Sequence, residues 1–526
     1  MLSWEPNSRD HNSLESTLFA PNSARLAGAV TPGASRKGDR DPQRAIGGWS
    51  QPCCANLFRG ALMKPTRHAA WALLWAALST GPVSAQNQAE MRPQIGLPLS
   101  EALAVAYETN PRLAAAQAGL RATDETVAQA NANWRPSINA SGTYGIENYK
   151  VTGSPSWIKT HPLQVQIGVQ ENIFRGGRTY AEIGRAKAQV RAGRADLIAA
   201  EQTVLLVAAT AYMDVIRDSA VVRLRQRNVE VLRQQREATA RQFSAGMLTR
   251  TDVSQSEARL AAAEAELTAA EGQLAISRSS FLQAVGRPAE TLEENPALPA
   301  IIPTSDEAAI AAAIKWNPAL ISARENERAA SYAVDDAIGA LLPQVAVQGG
   351  YSYSQQDYTS SIGAGSVVHG LSIIGTINVP IYQGGAEEAT VRQAKEWHTQ
   401  ARLNVNVMDR QVRDAVATAW NQYRAAEAGI VSNRATAEAD EIALVGVRKE
   451  QQIGGRTILD VLNAEQELLN AQVTVVASER NRVVAAFQLL AATGNLTAQS
   501  LALKVKYYDP LVHYESNATR WIGFGE

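Results

Sequence analysis

Four stretches of the chain alternate apolar residues with small or polar ones, residue by residue. They cover 138–146, 163–170, 345–353 and 371–381. A period of two over about ten residues is typical of β-strands, and small or polar residues opposite apolar ones are typical of a membrane barrel. A half-buried hairpin in a soluble protein has the same local pattern, so each pair of strands alone leaves both interpretations open. The segments between the paired strands, 148–162 and 354–369, are predicted to be loops.

Each pair of strands precedes a helical pattern of unusual length. Residues 176–242 and 386–452 each cover 67 positions and contain no proline. At about 1.5 Å per residue, each helix would be roughly 100 Å long, which is too long for a single globular domain. Both carry a coiled-coil seam with spacings of three and four residues. The seam consists of Leu205, Ala208, Tyr212, Val215, Ser219, Val222, Gln226 and Val229 in the first helix, and Val412, Val416, Ala419, Tyr423, Ala426 and Ile430 in the second.

Shorter helices are predicted before each pair of strands and after each long helix. In the first half of the chain they cover 111–134 and 251–285, and their combined length nearly matches that of the long helix. We therefore expect the two shorter helices to stack end to end along the long one, as one antiparallel pair.

The whole pattern occurs twice, at an offset of 207 or 208 residues, which is the signature of an internal repeat. The Asn-Pro pair that begins at Asn110 recurs at Asn317, and the turn at Gly246 recurs at Gly454 and Gly455. Glycine adopts a positive φ without a Cβ clash, so these turns are predicted to end one helix and let the next begin.

The chain begins with segments that are predicted not to belong to the fold. Residues 63–85 combine a basic start, a short apolar stretch and an Ala-type cleavage site, which predicts a signal peptide and a mature start at Gln86. Residues 1–62 show no periodic pattern and are interpreted as an upstream extension, consistent with a misplaced start codon; a true 62-residue arm is the alternative. The remaining predicted domains are repeat 1 at 86–294, a linker at 295–304, repeat 2 at 305–494 and an irregular C-terminal segment at 495–526.

The composition of the mature chain argues against several classes of function. Both cysteines, Cys53 and Cys54, lie in the extension, which leaves the mature chain without disulfides or thiol chemistry and suits export. The mature chain has 41 Lys and Arg against 46 Asp and Glu and no basic run, which argues against a nucleic-acid partner. Its histidines lack metal-ligand spacing, and no catalytic or phosphate-binding motif is present, so we expect neither an enzyme nor a cofactor or metal.

The predicted strands need more than one chain. The mature sequence has no run of eighteen apolar residues, so a membrane crossing would have to use β-strands. Four strands cannot close a barrel, and open sheet edges are not tolerated in lipid. Three chains would supply twelve strands. The fold class predicted is therefore a membrane β-barrel joined to a coiled-coil barrel of long helices, with two structural repeats per chain, closed by a homotrimer.

At this point the chain resembles the TolC family of outer-membrane efflux and secretion channels. The doubled Asn-Pro pair, the strand pairs ending in Gly-Gly, and the motif Gly-x-Arg-Thr-x-x-Asp-Val-Leu at 454–462 carry the resemblance, which covers Leu97 to Leu501. It implies an exit duct of a tripartite type I secretion or multidrug efflux system. The duct would lie in outer-membrane lipid, extend into the periplasm, and meet a periplasmic adaptor (membrane fusion) protein and an inner-membrane ABC or RND-type pump. The alternative is an elongated periplasmic coiled-coil adaptor without a pore.

The resemblance also implies a periplasmic gate at the glycine turns. In the family, an Arg of the second hairpin is tied to an Asp of the first and to a glutamine; these fall on Arg456, Asp252 and Gln235. A tyrosine that helps to hold the family's closed state is replaced here by Gln451. The resemblance therefore implies a looser clamp.

Acidic residues of the second hairpin form a cation-binding ring in the family, and here the first is Asp460 while the second is replaced by Asn463. The ring would carry about half the charge. The residues themselves suggest another role, because Thr249-x-x-Asp252 and Thr457-x-x-Asp460 both resemble helix capping boxes. Gate and cap do not exclude each other, and both interpretations stay open for the two aspartates.

Overall fold

The computed structural model describes residues 96–153, 155–358 and 365–524. The chain divides into two units, Met1–Gln86 and Asn87–Glu526, and all described residues belong to the second. The predicted extension 1–62, the predicted signal peptide 63–85 and the predicted mature start at Gln86 lie outside the described residues.

The described helices and strands follow one order twice: two helices, antiparallel strands, a long helix and a second helix. Along the chain they are α1 (Leu99–Thr109), α2 (Pro111–Ala132), β1 (Ser137–Tyr144), β2 (Glu147–Tyr149), β3 (Ile158–Arg175), α3 (Arg178–Ser244) and α4 (Arg250–Val285), then α5 (Asp306–Trp316), α6 (Pro318–Gly339), β4 (Gln344–Tyr358), β5 (Ser366–Asn378), α7 (Ala386–Gln452) and α8 (Ile458–Ala492), and finally α9 (Pro510–Asn517). The long helices α3 and α7 each have 67 residues, as predicted. Within the described part of the chain, no helix is both long and apolar enough to cross a membrane.

Strands extend into both predicted loops, whereas β1 ends at Tyr144 and β5 ends at Asn378, before the predicted ends at 146 and 381. β3 begins at Ile158, inside the predicted loop 148–162, and β2 lies in the same range. β4 continues to Tyr358, inside the predicted loop 354–369. The two loop predictions are therefore too long. Backbone pairing with a neighbouring strand does not need apolar side chains, so a strand can continue after the alternation ends.

The sheet has the order β1-β3-β4-β5, all antiparallel, with β2 paired to β3 beyond β1. Directly paired residues lie on the same face of a sheet. The register joins apolar positions across all four main strands: Ile138 with Val169, Ala140 with Ile167, Val165 with Tyr353, Ile167 with Tyr351, Tyr351 with Leu371, and Val345 with Ile377. Polar positions pair in the same way: Asn139 with Gly168, Ser141 with Gln166, Gln166 with Ser352, and Gly350 with Ser372.

The sheet therefore has one apolar and one polar face. The apolar face is open: Leu371 is 83% exposed and Ile373 is 80% exposed. An apolar surface of this kind needs a nonpolar environment, because its exposure to water is unfavourable by roughly 25 cal/mol per Å². The outermost strands of the described sheet, β1 and β5, have no strand of this chain paired to their outer edges among the described residues.

The two Asn-Pro pairs form the junctions at which the shorter helices stack. Asn110 accepts a hydrogen bond from the Arg112 amide and so caps α2, while its amide nitrogen donates to the Ala284 carbonyl at the end of α4, at 3.1 Å. Asn317 caps α6 in the same way and donates to the Ala492 carbonyl at the end of α8, at 2.9 Å. Each asparagine side chain thus caps the start of one helix and donates to a free carbonyl at the end of the helix stacked on it. The predicted end-to-end stacking is confirmed.

The repeats also interlock, which the repeat pattern does not predict. α6 of the second repeat packs against α3 of the first as well as against α7. Arg178 and Arg191 of α3 form ion pairs with Asp336 and Glu325 of α6, at 2.9 and 2.6 Å. Gly184 lies so close to α6 that a Cβ there would come within 2.6 Å of the Tyr332 ring.

The seam of α3 is largely buried. Its buried members are Leu205, Ala208, Tyr212, Val215, Val222 and Val229. Gln226 is exposed, although Val222 and Val229 on either side of it in the seam are buried.

The C-terminal segment is more regular than its sequence pattern predicts. α9 lies within 495–526 and begins with Pro510 at its first position, where Asp509 accepts a hydrogen bond from the Leu511 amide at 2.8 Å. An Asp-Pro pair is a known helix start, so a sequence signal for α9 exists. Ahead of it, Leu496 and Leu503 are buried in the main hydrophobic core.

Candidate functional site at the helical hairpins

The two glycine turns have the same geometry. Gly246 and Gly454 adopt left-handed conformations, with φ of 74° and 82°. The following residues, Met247 and Gly455, donate backbone hydrogen bonds to the carbonyls of Gln242 and Glu450, at 3.0 and 2.8 Å. This is the Schellman pattern of a helix C-terminus.

Gly455 has a different role from the one predicted. Its φ is not positive, and a Cβ there would lie 3.4 Å from the Glu450 carbonyl oxygen. Only the first glycine of the pair therefore supplies the left-handed residue, and Met247 occupies the position of Gly455 in the first turn.

Each turn leads into a helix with a complete capping box, which confirms the cap interpretation. Asp252 accepts hydrogen bonds from the amide and hydroxyl of Thr249 at 2.9 and 2.8 Å, and Asp460 does so from Thr457 at the same distances. In return each threonine hydroxyl accepts from the aspartate amide, at 3.4 and 3.3 Å. Hydrogen bonds to the backbone and hydroxyl of Thr249 lower the pKa of Asp252, and those to the hydroxyl and backbone of Thr457 lower the pKa of Asp460.

The lowered pKa values predict that both caps weaken in acid. A carboxylate whose pKa is lower in the folded state stabilises the fold above its unfolded-state pKa, near about 3.9, and this contribution is lost as the pH falls through the folded-state value. Hydrogen exchange at the first turns of α4 and α8 should therefore show less protection at about pH 3 than at about pH 6. The variants Asp252→Asn and Asp460→Asn keep an acceptor oxygen without a titrating proton. Their protection at these turns should not change with pH, and a change as large as in the wild type would contradict the prediction.

Arg456 does not have the partner within the chain that the resemblance implies. Its Nε donates to Glu450 Oε2 at 3.0 Å, so it forms an ion pair within its own hairpin. Among the described contacts of this single chain, Arg456 makes no bond to Asp252 or Gln235. The turn folds Arg456 back over the end of α7, where Glu450 lies. Half of the Arg456 side chain is exposed, so a tie to another chain stays a prediction.

Asn463 joins the two hairpins. Its side-chain oxygen accepts a hydrogen bond from Arg259 of α4 at 2.9 Å. Next to Asn463 in sequence, Leu462 packs with Val229, Leu232 and Ala263 in a small buried cluster. Asn463, at the position where the resemblance implies a second acid, therefore supplies a neutral acceptor between the hairpins. Gln451 and Gln235 are half-buried on the helices that enter the two turns.

The doubled hairpin architecture agrees with comparisons to known proteins. The family model for outer membrane efflux proteins matches the chain twice, over residues 102–287 and 309–495. The chain belongs to the outer membrane efflux protein family. The TolC-family resemblance is thereby confirmed, and the members of this family are channel proteins rather than enzymes.

Individual relatives support the same placement. The chain is 36% identical over 426 residues to the outer membrane efflux protein BepC of Brucella suis, covering 81% of this chain and 91% of BepC. It is 24% identical over 446 residues to the outer membrane protein TolC of Vibrio cholerae, covering 81% of this chain and 95% of that protein. Its fold is similar to the crystal structure of the Campylobacter jejuni CmeC outer membrane channel, with a TM-score of 0.68, 15% identity, and coverage of 80% of this chain and 89% of CmeC.

These findings locate the chain in the outer membrane, from which it extends into the periplasm. Its function is that of an exit duct in efflux. The interpretation as an adaptor without a pore is not favoured.

Proposed function

We propose that three copies of this chain close a twelve-stranded barrel in the outer membrane and continue as a helical tunnel in the periplasm. The observation that carries the proposal is the sheet of four main strands with an open apolar face and free outer edges on β1 and β5. In lipid these edges must be paired, which a single chain of four main strands cannot do. If β1 of one copy pairs with β5 of the next, the apolar faces form a continuous lipid-facing band and the polar faces line the lumen.

The duct serves a tripartite system for type I secretion or multidrug efflux. A passive pore moves its cargo only down a gradient, so energy has to come from an inner-membrane pump of the ABC or RND type. A periplasmic adaptor would join that pump to the duct. The support is membership of the efflux protein family and the name of BepC, an outer membrane efflux protein.

The helical hairpins form the periplasmic mouth of the tunnel in this proposal. Three symmetry-related copies of Asp460 would bring three carboxylates together at the narrow end. Carboxylates held close together in a partly dehydrated pore repel one another and attract cations. Asn463 adds no charge, so Asp460 alone supplies the ring. Asp460 caps α8 through one oxygen only, Oδ2, which leaves its other oxygen for a cation.

We expect Asp460→Asn to weaken the block of conductance by divalent and trivalent cations while the fold stays intact. Asparagine keeps an oxygen that accepts from Thr457, so the loss is mainly one of charge. The measurement is single-channel recording of the purified protein in planar bilayers, with cations added from the side of the helical end.

Asp252→Asn is a matched control for this experiment. It removes the same charge from the same capping geometry in the first hairpin. Because Asp252 is also the expected partner of Arg456, the variant should raise the open conductance but leave most of the cation block in place. Equal block in the wild type and in Asp460→Asn would contradict the charged ring. Absence of discrete conductances from the folded wild type would contradict the pore itself.

A further inference from the structure

The end of the described chain follows α2 towards the sheet. Tyr514 and Ala518 pack against Val127 and Val190 of α2 and α3. The Asn131 side chain then donates to the Ala518 carbonyl at 2.8 Å. The C-terminal segment is thus held along α2 up to the last turn before β1.

Arg135, two residues before β1, fixes the next part of the segment. Its guanidinium donates to the Thr519 carbonyl at 3.0 Å and also to the Arg520 carbonyl. The same group lies 4.7 Å from the centre of the Trp521 ring, within the range of a cation–π contact. Three contacts from the Arg135 side chain therefore place Trp521 at the end of the sheet that adjoins the helices, where α2 meets β1.

The residues that follow are apolar and open. Trp521 is 69% exposed, Ile522 is 90% exposed, and Phe524 is fully exposed. Such a run of exposed apolar residues marks an interaction surface when it is held in place by specific contacts.

Other aromatic residues lie at the same edge of the sheet. Trp134 precedes β1 and contacts Tyr180 edge-to-face, with ring centres 4.9 Å apart, in the first turn of α3 after β3. Phe174, at the end of β3, pairs with Val345 on the apolar face and is also exposed. The C-terminal apolar run and these exposed aromatics therefore lie at the same edge of the sheet, where its apolar face ends.

We propose that Trp521 to Phe524 form a membrane-interface anchor, which inserts among the headgroups and upper acyl chains of the periplasmic leaflet of the outer membrane. The proposal rests on the proposed function, since it requires that the apolar face of the sheet contacts lipid. Amphipathic aromatic rings are favoured at the boundary between headgroups and hydrocarbon. Arg135 positions Trp521 through the cation–π contact. Its guanidinium would also lie near the lipid phosphates, as the charged ends of long basic side chains do at membrane surfaces. The anchor would fix the height of the duct in the bilayer.

The test is site-directed spin labelling of the full chain, reconstituted in lipid vesicles. Cys53→Ser and Cys54→Ser give a cysteine-free background, in which single cysteines replace Ile522, Ile373 or Glu515. Ile373 lies on the open apolar face of the sheet and is the lipid reference, whereas Glu515 is an exposed residue of α9 and is the water reference. Collision with oxygen, which concentrates in lipid, is compared with collision with a water-soluble nickel complex.

We expect the label at position 522 to collide several-fold more with oxygen than with nickel, as at position 373, and the reverse at position 515. Nickel collisions at 522 equal to those at 515 would overturn the anchor. Shielding from both reagents would also overturn it, since the segment would then be covered by a neighbouring subunit. If position 373 itself is accessible to nickel, the lipid-facing sheet is wrong and the anchor falls with it, so the two failures are distinguishable.

Discussion

Val165→Arg should abolish most of the folded protein in the outer membrane, whereas Gln166→Arg should leave it folded. The two positions are neighbours near the middle of β3 and face opposite sides of the sheet. Val165 is paired with Gly142 and Tyr353 on the apolar face, and Gln166 is paired with Ser141 and Ser352 on the polar face. An arginine on the lipid face near the bilayer midplane costs about 2–4 kcal/mol, which is a large share of the stability of a membrane protein. On the lumenal face the same side chain stays in water.

The measurement is the amount of heat-modifiable oligomer in outer-membrane fractions at equal expression. The pair is well matched, because both variants add the same charge and volume to the same strand. Equal loss of the oligomer in both variants would show that the sheet does not separate lipid from lumen. Ile377→Arg lies on the same apolar face but near the end of β5, where Ile377 is paired with Val345, so its cost should be smaller, about 0–1 kcal/mol, as expected close to the membrane interface.

The strands were predictable from sequence where their side chains face two different environments. Alternation from Ile138 and from Val345 predicts β1 and the first part of β4, because successive residues there face the apolar and the polar side of the sheet in turn. The end of β4 and the start of β3 lack this signal. These two segments pair with each other through backbone hydrogen bonds, and such pairing does not require any particular pattern of side-chain polarity.

The helix ends were predictable because they depend on residues close in sequence. The Asn-Pro pairs, the left-handed glycines and the two capping boxes each act within about four residues, so their chemistry can be recognised locally. The partner of Arg456 was not predictable in this way, since it depends on how the turn places Glu450. The Arg259–Asn463 contact joins residues 204 positions apart, and only the packing of α4 near α8 brings them together.

A network of ion pairs around one buried carboxylate shows the same limit of prediction from sequence. The Asp218 carboxylate, only 7% exposed, accepts hydrogen bonds from Arg217 at 2.7 and 3.0 Å and from the Ser277 hydroxyl of α4. Arg217 also pairs with Asp214 at 3.0 Å, and Asp214 pairs with Arg480 of α8 at 2.9 Å. The network thus connects α3, α4 and α8, and so links the two repeats.

Arg217→Met should lower the free energy of unfolding by about 3 kcal/mol, because it leaves a buried carboxylate without its main partner. The lower end of the usual range applies, since Arg217 is partly exposed and Ser277 still donates.

Arg413→Met is the control: Arg413 pairs with Asp409 on the surface of α7 at 2.8 Å, and loss of this exposed pair should cost at most about 1 kcal/mol. Thermal loss of the helical circular-dichroism signal in detergent measures both. Adding Asp218→Asn to Arg217→Met should recover part of the loss, because the uncompensated charge is then gone. Equal melting shifts for Arg217→Met and Arg413→Met, without recovery in the double variant, would mean that the network contributes no more than a surface pair.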